Sequence, residues 1–207
     1  MKKKLLKSII GAVIFLLNGC AMYYRPINPD KLSYNIIENK DKIEFAYRYD
    51  VLRERANKKM EKKELKSGIK IVAVKIKNNT DSSICLGSDI RLYSGLTEIN
   101  LLPPMLVKKA VEQSVIGYIP YFIGALGNSN VSYNGQVVSS FNFGLILWPA
   151  IAIGNMITAS TANSNLLKEL IKYDLREVKI KSGETVYGII GIQDSGFIPL
   201  EIKKIKK

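Results

Sequence analysis

The chain has 207 residues, with 31 Lys and Arg against 18 Asp and Glu, and it contains no histidine. Without an imidazole, Ser-His-Asp and Cys-His arrangements and any histidine-ligated metal are excluded. Its two cysteines, Cys20 and Cys85, allow at most one intrachain disulfide, and none once either thiol is modified.

The first nineteen residues read as a leader. Lys2, Lys3, Lys4 and Lys7 give a positive start, Leu5–Leu6 and Ile9–Leu17 supply an apolar run, and Gly19 precedes Cys20. A permanent membrane span wants about 20 apolar residues, so this shorter run is predicted to be a targeting segment outside the fold. The ending Leu17-Asn18-Gly19-Cys20 resembles the lipobox of bacterial lipoproteins. That resemblance implies cleavage before Cys20, acylation of its sulfur (palmitate among the chains) and a cell-envelope protein held to a membrane by its N-terminal lipid. Ala21, where an Asp would mark inner-membrane retention, favours an outer membrane facing the periplasm in an organism that has one.

Removing the leader's four lysines leaves 27 basic residues against 18 acids, a formal charge of +9. Such a surface suits anionic lipids or polymers. No nucleic-acid motif is present, and nucleic acid is not expected as a partner.

Residues 20–41 read as a lipidated tether, with Pro26 and Pro29 early, and 42–207 as a single β-rich domain. In "IEFAYRYDV", Ile43, Phe45, Tyr47, Tyr49 and Val51 alternate with polar residues, which predicts a half-buried strand. The run Arg53–Lys66 reads as a short helix with Glu54 and Lys58 at i,i+4, or as a loop. Its Lys58, Lys59, Lys62 and Lys63, together with Lys203 and Lys204 near the C-terminus, are candidate electrostatic contacts; a solvated surface is the plainer account of all six. Strands resume at Ile69–Lys77, and Ile84, Leu86, Ile90 and Leu92 continue a strand pattern in which Cys85 reads as an inert, buried thiol.

From Ala110 to Leu167 the only charged residue is Glu112. Two apolar runs, Val115–Gly127 and Phe141–Ser160, flank a polar stretch with an Asn134-Gly135 turn signal. The runs predict an apolar helical hairpin, an insert at about 103–173. Tyr118, Tyr121, Phe122 and Trp148 are candidate interfacial aromatics. Ala150, Gly154, Thr158 and Ala162 recur every fourth residue as a small-residue ridge. A further helix within 163–175 is expected, capped by Ser164 or Asn165 and presenting Leu166, Leu170 and Tyr173.

The insert could span the bilayer, pack as core, or contact a leaflet or a second copy. Spanning is disfavoured, because Gly127–Ser140 would lie in the cytoplasm without Lys or Arg while Lys108, Lys109 and Lys168 stayed outside.

After the insert, "REVKIKSGETVYGIIGIQ" predicts strand, Ser-Gly turn and strand, and "FIPLEIKKI" a last strand. The expected fold is therefore β-rich with a helical insert (α+β), similar in texture to an immunoglobulin-like β-sandwich interrupted by the apolar hairpin. No motif calls for a cofactor, a metal or a catalytic residue. The expected role is non-catalytic: binding a protein partner, self-associating or supporting an envelope assembly. A membrane-active or pore-forming component is the alternative, and a carboxylate-based enzyme the third possibility.

Overall fold

A computed structural model describes residues 19–34, 36–126, 129–134, 136–141, 143–193 and 196–205. The leader through Asn18, including Leu17, lies outside the described residues, as does Gly135 of the expected turn. The protein is mixed α+β, with antiparallel sheets and one long apolar helix.

The strands in chain order are β1 (Ile36–Lys40), β2 (Ile43–Arg48), β3 (Ile69–Asn78), β4 (Ile84–Cys85), β5 (Ile90–Ser94), β6 (Thr97–Ile99), β7 (Leu101–Leu102), β8 (Ser129–Tyr133), β9 (Gln136–Phe141), β10 (Lys179–Ile180), β11 (Thr185–Gln193) and β12 (Glu201–Lys204). The main helices are α1 (Lys58–Ser67), α2 (Pro104–Val111) and α3 (Phe143–Lys172), with a 3-10 helix over Ile116–Leu126. The described residues divide into two compact units, one of residues 19–23 with Gln113–Ala162, the other of Tyr24–Glu112 with residues 163–205.

The second, β-rich unit is built on a five-stranded antiparallel sheet in the order β1-β2-β3-β11-β7. The long β3–β11 pairing, from Thr185 opposite Lys77 to Gln193 opposite Ile69, forms its spine. Ile71, Val72, Ala73 and Val74 are all buried, so β3 is covered on both faces. On one face Ile43, Phe45, Tyr47, Val72, Val74, Ile190 and Ile192 join Ile84, Leu86, Ile90, Leu92, Ile180 and Ile202 of the shorter strands in a single core. The other face meets α1 and α2. There Gly191 leaves room for Val107, whose Cγ2 would stand 2.1 Å from an added Cβ.

Several expectations are met in this unit. The strands at 43–48 and 69–78 form, and Ser182–Gly183 turns the chain into β11. Ile36–Lys40, expected within the tether, instead forms the sheet's edge strand beside β2. Glu54 and Lys58 do not share a helix, because Ala56 adopts a left-handed φ of 56° between them. Glu54 pairs with Arg48 at 2.9 Å instead.

The other unit corrects the helical hairpin. Its first apolar run is a 3-10 helix, its polar linker is the β8–β9 hairpin, and only its second run is α-helical. Gly117, Pro120 and Gly124 make the first run a poor α-helix. Tyr133 opposes Gln136 across the predicted turn, where Asn134 takes φ 49°. The second run continues through Asn163 to Lys172, so Ser164 and Asn165 cap nothing. At 1.5 Å per residue α3 is about 45 Å long.

Candidate functional site

In the uncharged unit, Cys20 is exposed and sits beside an aromatic row. Gly19 packs so closely on Tyr121 that an added Cβ would lie 1.9 Å from the phenol oxygen. The Tyr118 phenol is pushed above its ordinary value by burial, then by neighbouring Tyr121 and Cys20. Tyr118 and Tyr121 have ring centroids 6.1 Å apart, and Tyr121 and Trp148 6.3 Å. Gly124 lies under Trp148, whose Cδ2 would be 2.3 Å from a Cβ there.

The two residues after Cys20 are pinned by side-chain amides. Ala21 N–H donates to Asn155 Oδ1 at 2.6 Å. Met22 N–H donates to Gln113 Oε1 at 3.0 Å, and Gln113 Nε2 donates back to Met22 O at 2.6 Å. A side-chain amide here replaces a strand partner for an extended backbone.

The outside of this unit is apolar. The 3-10 period of three turns Tyr118, Tyr121 and Gly124 inward and leaves Ile116, Ile119, Phe122, Ile123 and Leu126 outward. On α3, Ala152 and Ala159 are buried, while Ile146, Ile153 and Ile157 are at least half exposed. No Asp, Glu, Lys or Arg occurs from Gln113 to Ala162. The unit's longer segment and the uncharged stretch begin together at Gln113, and the stretch runs five residues beyond the unit, to Leu167. Most of the apolar part of α3 is left unburied by the rest of the chain.

The predicted interfacial aromatics divide. Phe122 is exposed, Tyr121 and Trp148 are half-buried, and Tyr118, at 5% exposure, belongs to the interior. The small-residue ridge is exposed at Ala150 and at Gly154, where a Cβ would meet open space, half-buried at Thr158 and buried at Ala162. Thr158 Oγ1 donates along the helix to Gly154 O at 2.9 Å.

In the β-rich unit, Glu169 organises residues 24–28. Its carboxylate accepts from Tyr24 Oη at 2.5 Å, Ile27 N–H at 3.0 Å and Asn28 N–H at 2.8 Å. Burial, and then Glu169, push the Tyr24 phenol far above its ordinary value. Asn57 accepts from Arg25 N–H at 2.9 Å and donates to Arg25 O at 2.8 Å, and Arg55 Nη2 donates to Ile27 O at 2.8 Å.

Two open cavities of this unit, of about 280 and 220 Å³, each carry one carboxylate, Glu169 and Glu98. Both are already engaged, Glu98 with Arg91 at 2.8 Å.

Lys58, Lys62 and Lys63 are exposed on α1, with Lys59 half-buried. Lys203 is tied into the fold, donating to Gly95 O at 2.7 Å and lying 4.8 Å over the Tyr93 ring, while Lys204 is exposed at the end of β12. Cys85 is half-buried, and its N–H donates to Asp89 Oδ2 at 3.1 Å.

Sequence reasoning did not single out Asn57, Gln113, Asn155 or Glu169. A lone amide such as Asn155 in an apolar run is nevertheless a signal, because a polar group there needs a partner.

The chain matches no family model, and it shows no significant similarity to a curated protein or to a solved structure.

Proposed function

We propose that this chain is a non-catalytic bacterial lipoprotein of the cell envelope. It is cleaved before Cys20, acylated on that sulfur, and seated on its membrane by the uncharged unit. The charged, β-rich unit is then held at the bilayer surface to bind a protein partner or support an assembly. The outer membrane, facing the periplasm, fits Ala21 after the cysteine. The β-rich unit is read as an immunoglobulin-like sandwich, a reading supported by the single core that its large sheet shares with the shorter strands.

One observation carries the proposal: Ile116, Ile119, Ile123, Leu126, Ile146, Ile153 and Ile157 are exposed in the same compact unit as Cys20, in a stretch without charge. Contiguous apolar surface of this kind marks a membrane or protein contact. The reading of depth is supported by the Ala21–Asn155 hydrogen bond, which ties the residue after Cys20 to the apolar part of α3. A helix crossing the bilayer along its normal would carry Cys20 into the hydrocarbon. A helix lying along the leaflet keeps it at headgroup depth.

The test uses residues 20–207 carrying Cys20→Ser, mixed with neutral phosphatidylcholine vesicles. Sedimentation with the vesicles, abolished by Ile153→Glu with Ile157→Glu, supports the reading. A monomer that stays in solution without detergent contradicts it, and a defined oligomer would favour assembly through the same surface.

A further inference from the structure

Helix α1 turns Met60 and Glu64, 1% and 3% exposed, into the β-rich unit. On its opposite side Lys58, Lys62 and Lys66 stand at i, i+4 and i+8, all exposed, with Leu65 beside them. Among the described residues none of these three lysines pairs with a carboxylate. Helix α2 packs beside α1 and adds exposed Met105, Leu106 and Lys109. The outer side of α1 is thus a row of compact cations with one exposed apolar side chain, Leu65, beside it.

Its position along the chain says what it meets. Asn57 directly precedes α1 and holds both backbone groups of Arg25, at 2.9 and 2.8 Å. Arg25 is five residues from Cys20, and an extended chain covers at most about 3.6 Å per residue. Adding the Arg25–Asn57 link and the step to Lys58, the start of the lysine row is leashed within roughly 30 Å of the acyl attachment point, whatever path the intervening backbone takes.

We infer that Lys58, Lys62 and Lys66 bind the anionic phospholipid headgroups of the membrane in which Cys20 is anchored. This inference rests on the lipid-anchored reading above and gives it a headgroup class. Phosphates of that membrane are the anions held nearest the row by its own tether. Lysine recognises them as a point charge, and Leu65 beside the row suits the boundary between headgroups and acyl chains.

The experiment reconstitutes the mature acylated chain into vesicles of phosphatidylcholine alone or with one-third phosphatidylglycerol. Lysines are labelled with an amine-reactive ester and read by mass spectrometry. Labelling of Lys58, Lys62 and Lys66, relative to exposed Lys181, is expected to fall severalfold in the anionic vesicles. It should recover at about 0.5 M salt, where charges are screened within a few ångströms. In parallel, the Cys20→Ser chain carrying Lys58→Gln, Lys62→Gln and Lys66→Gln should lose about fivefold in anionic-vesicle affinity per lysine removed. Its binding to neutral vesicles should be unchanged.

Equal labelling in both vesicle types, or no loss in the triple variant, overturns the inference and turns the row toward an acidic protein. A mature chain whose mass lacks the acyl groups overturns the anchored reading instead, while the anionic dependence of the triple variant still decides the lysine row.

Discussion

The Tyr24 phenol donates to Glu169 Oε2 at 2.5 Å, and the same carboxylate takes the backbone N–H groups of Ile27 and Asn28. One side chain from α3 thus satisfies three donors of a segment that forms no strand. Glu169→Ala orphans them, and the loss should be about 3 kcal/mol, against about 1 kcal/mol for Tyr24→Phe. Amide exchange at Ile27 and Asn28 should accelerate in the alanine variant and hold in the phenylalanine one. Unchanged exchange in both would mean that the segment is fixed elsewhere.

Glu64 makes the β-rich unit sensitive to pH. Burial pushes its carboxyl up to about 7, against the opposing pull of the Ile71 N–H and Lys70. The Ile71 amide donates to Oε1 at 2.7 Å. Because the folded-state value is raised, the folded chain holds more protons than the unfolded one between pH 4.5 and about 7. This group's contribution to stability is fully present below that window, falls as pH rises through it, and is flat above. The loss is about 3 kcal/mol. Glu64→Gln keeps the acceptor without the charge, so urea midpoints at pH 8 should rise above those of the parent, with the difference shrinking by pH 5. Parallel midpoint curves for the two chains would show that Glu64 is not the group responsible.

Gly124 is required by the aromatic row. A Cβ there would fall 2.3 Å from Trp148 Cδ2, so Gly124→Ala must displace the indole or the 3-10 helix, at a cost of about 1–3 kcal/mol. Trp148 is the sole tryptophan, and its emission reports the event directly. A spectrum and stability identical to the parent would place the indole away from residue 124.

The sequence disclosed the sheet far better than the clasps. The alternation of Ile43, Phe45 and Tyr47 and the apolar run at 69–76 carry their own periodicity, and β2 and β3 follow it. The uncharged stretch was equally plain, and it contains the Gln113–Ala162 segment of a compact unit. The β8–β9 hairpin was half legible: Asn134-Gly135 announced the turn, but polar flanks such as Ser129 and Ser140 gave no buried face to mark strands. The 3-10 helix and the α-helix share an apolar composition, so only glycine and proline placement separates them. The clasps were hidden because their partners are remote in sequence; Tyr24 and Glu169 are 145 residues apart. The polarity of Asn155 or Gln113 says that a partner is needed and not which backbone supplies it.

The central claim is that the uncharged unit beside Cys20 rests in the leaflet. The most direct measurement is quenching of Trp148 in the acylated chain by phospholipids brominated along their acyl chains. The account predicts strong quenching, with emission shifted to the blue relative to the chain in detergent-free solution. Unquenched, unshifted Trp148 emission in a chain that remains attached to the vesicles would contradict it: the lipid alone would be the anchor, and the apolar surface would await a protein.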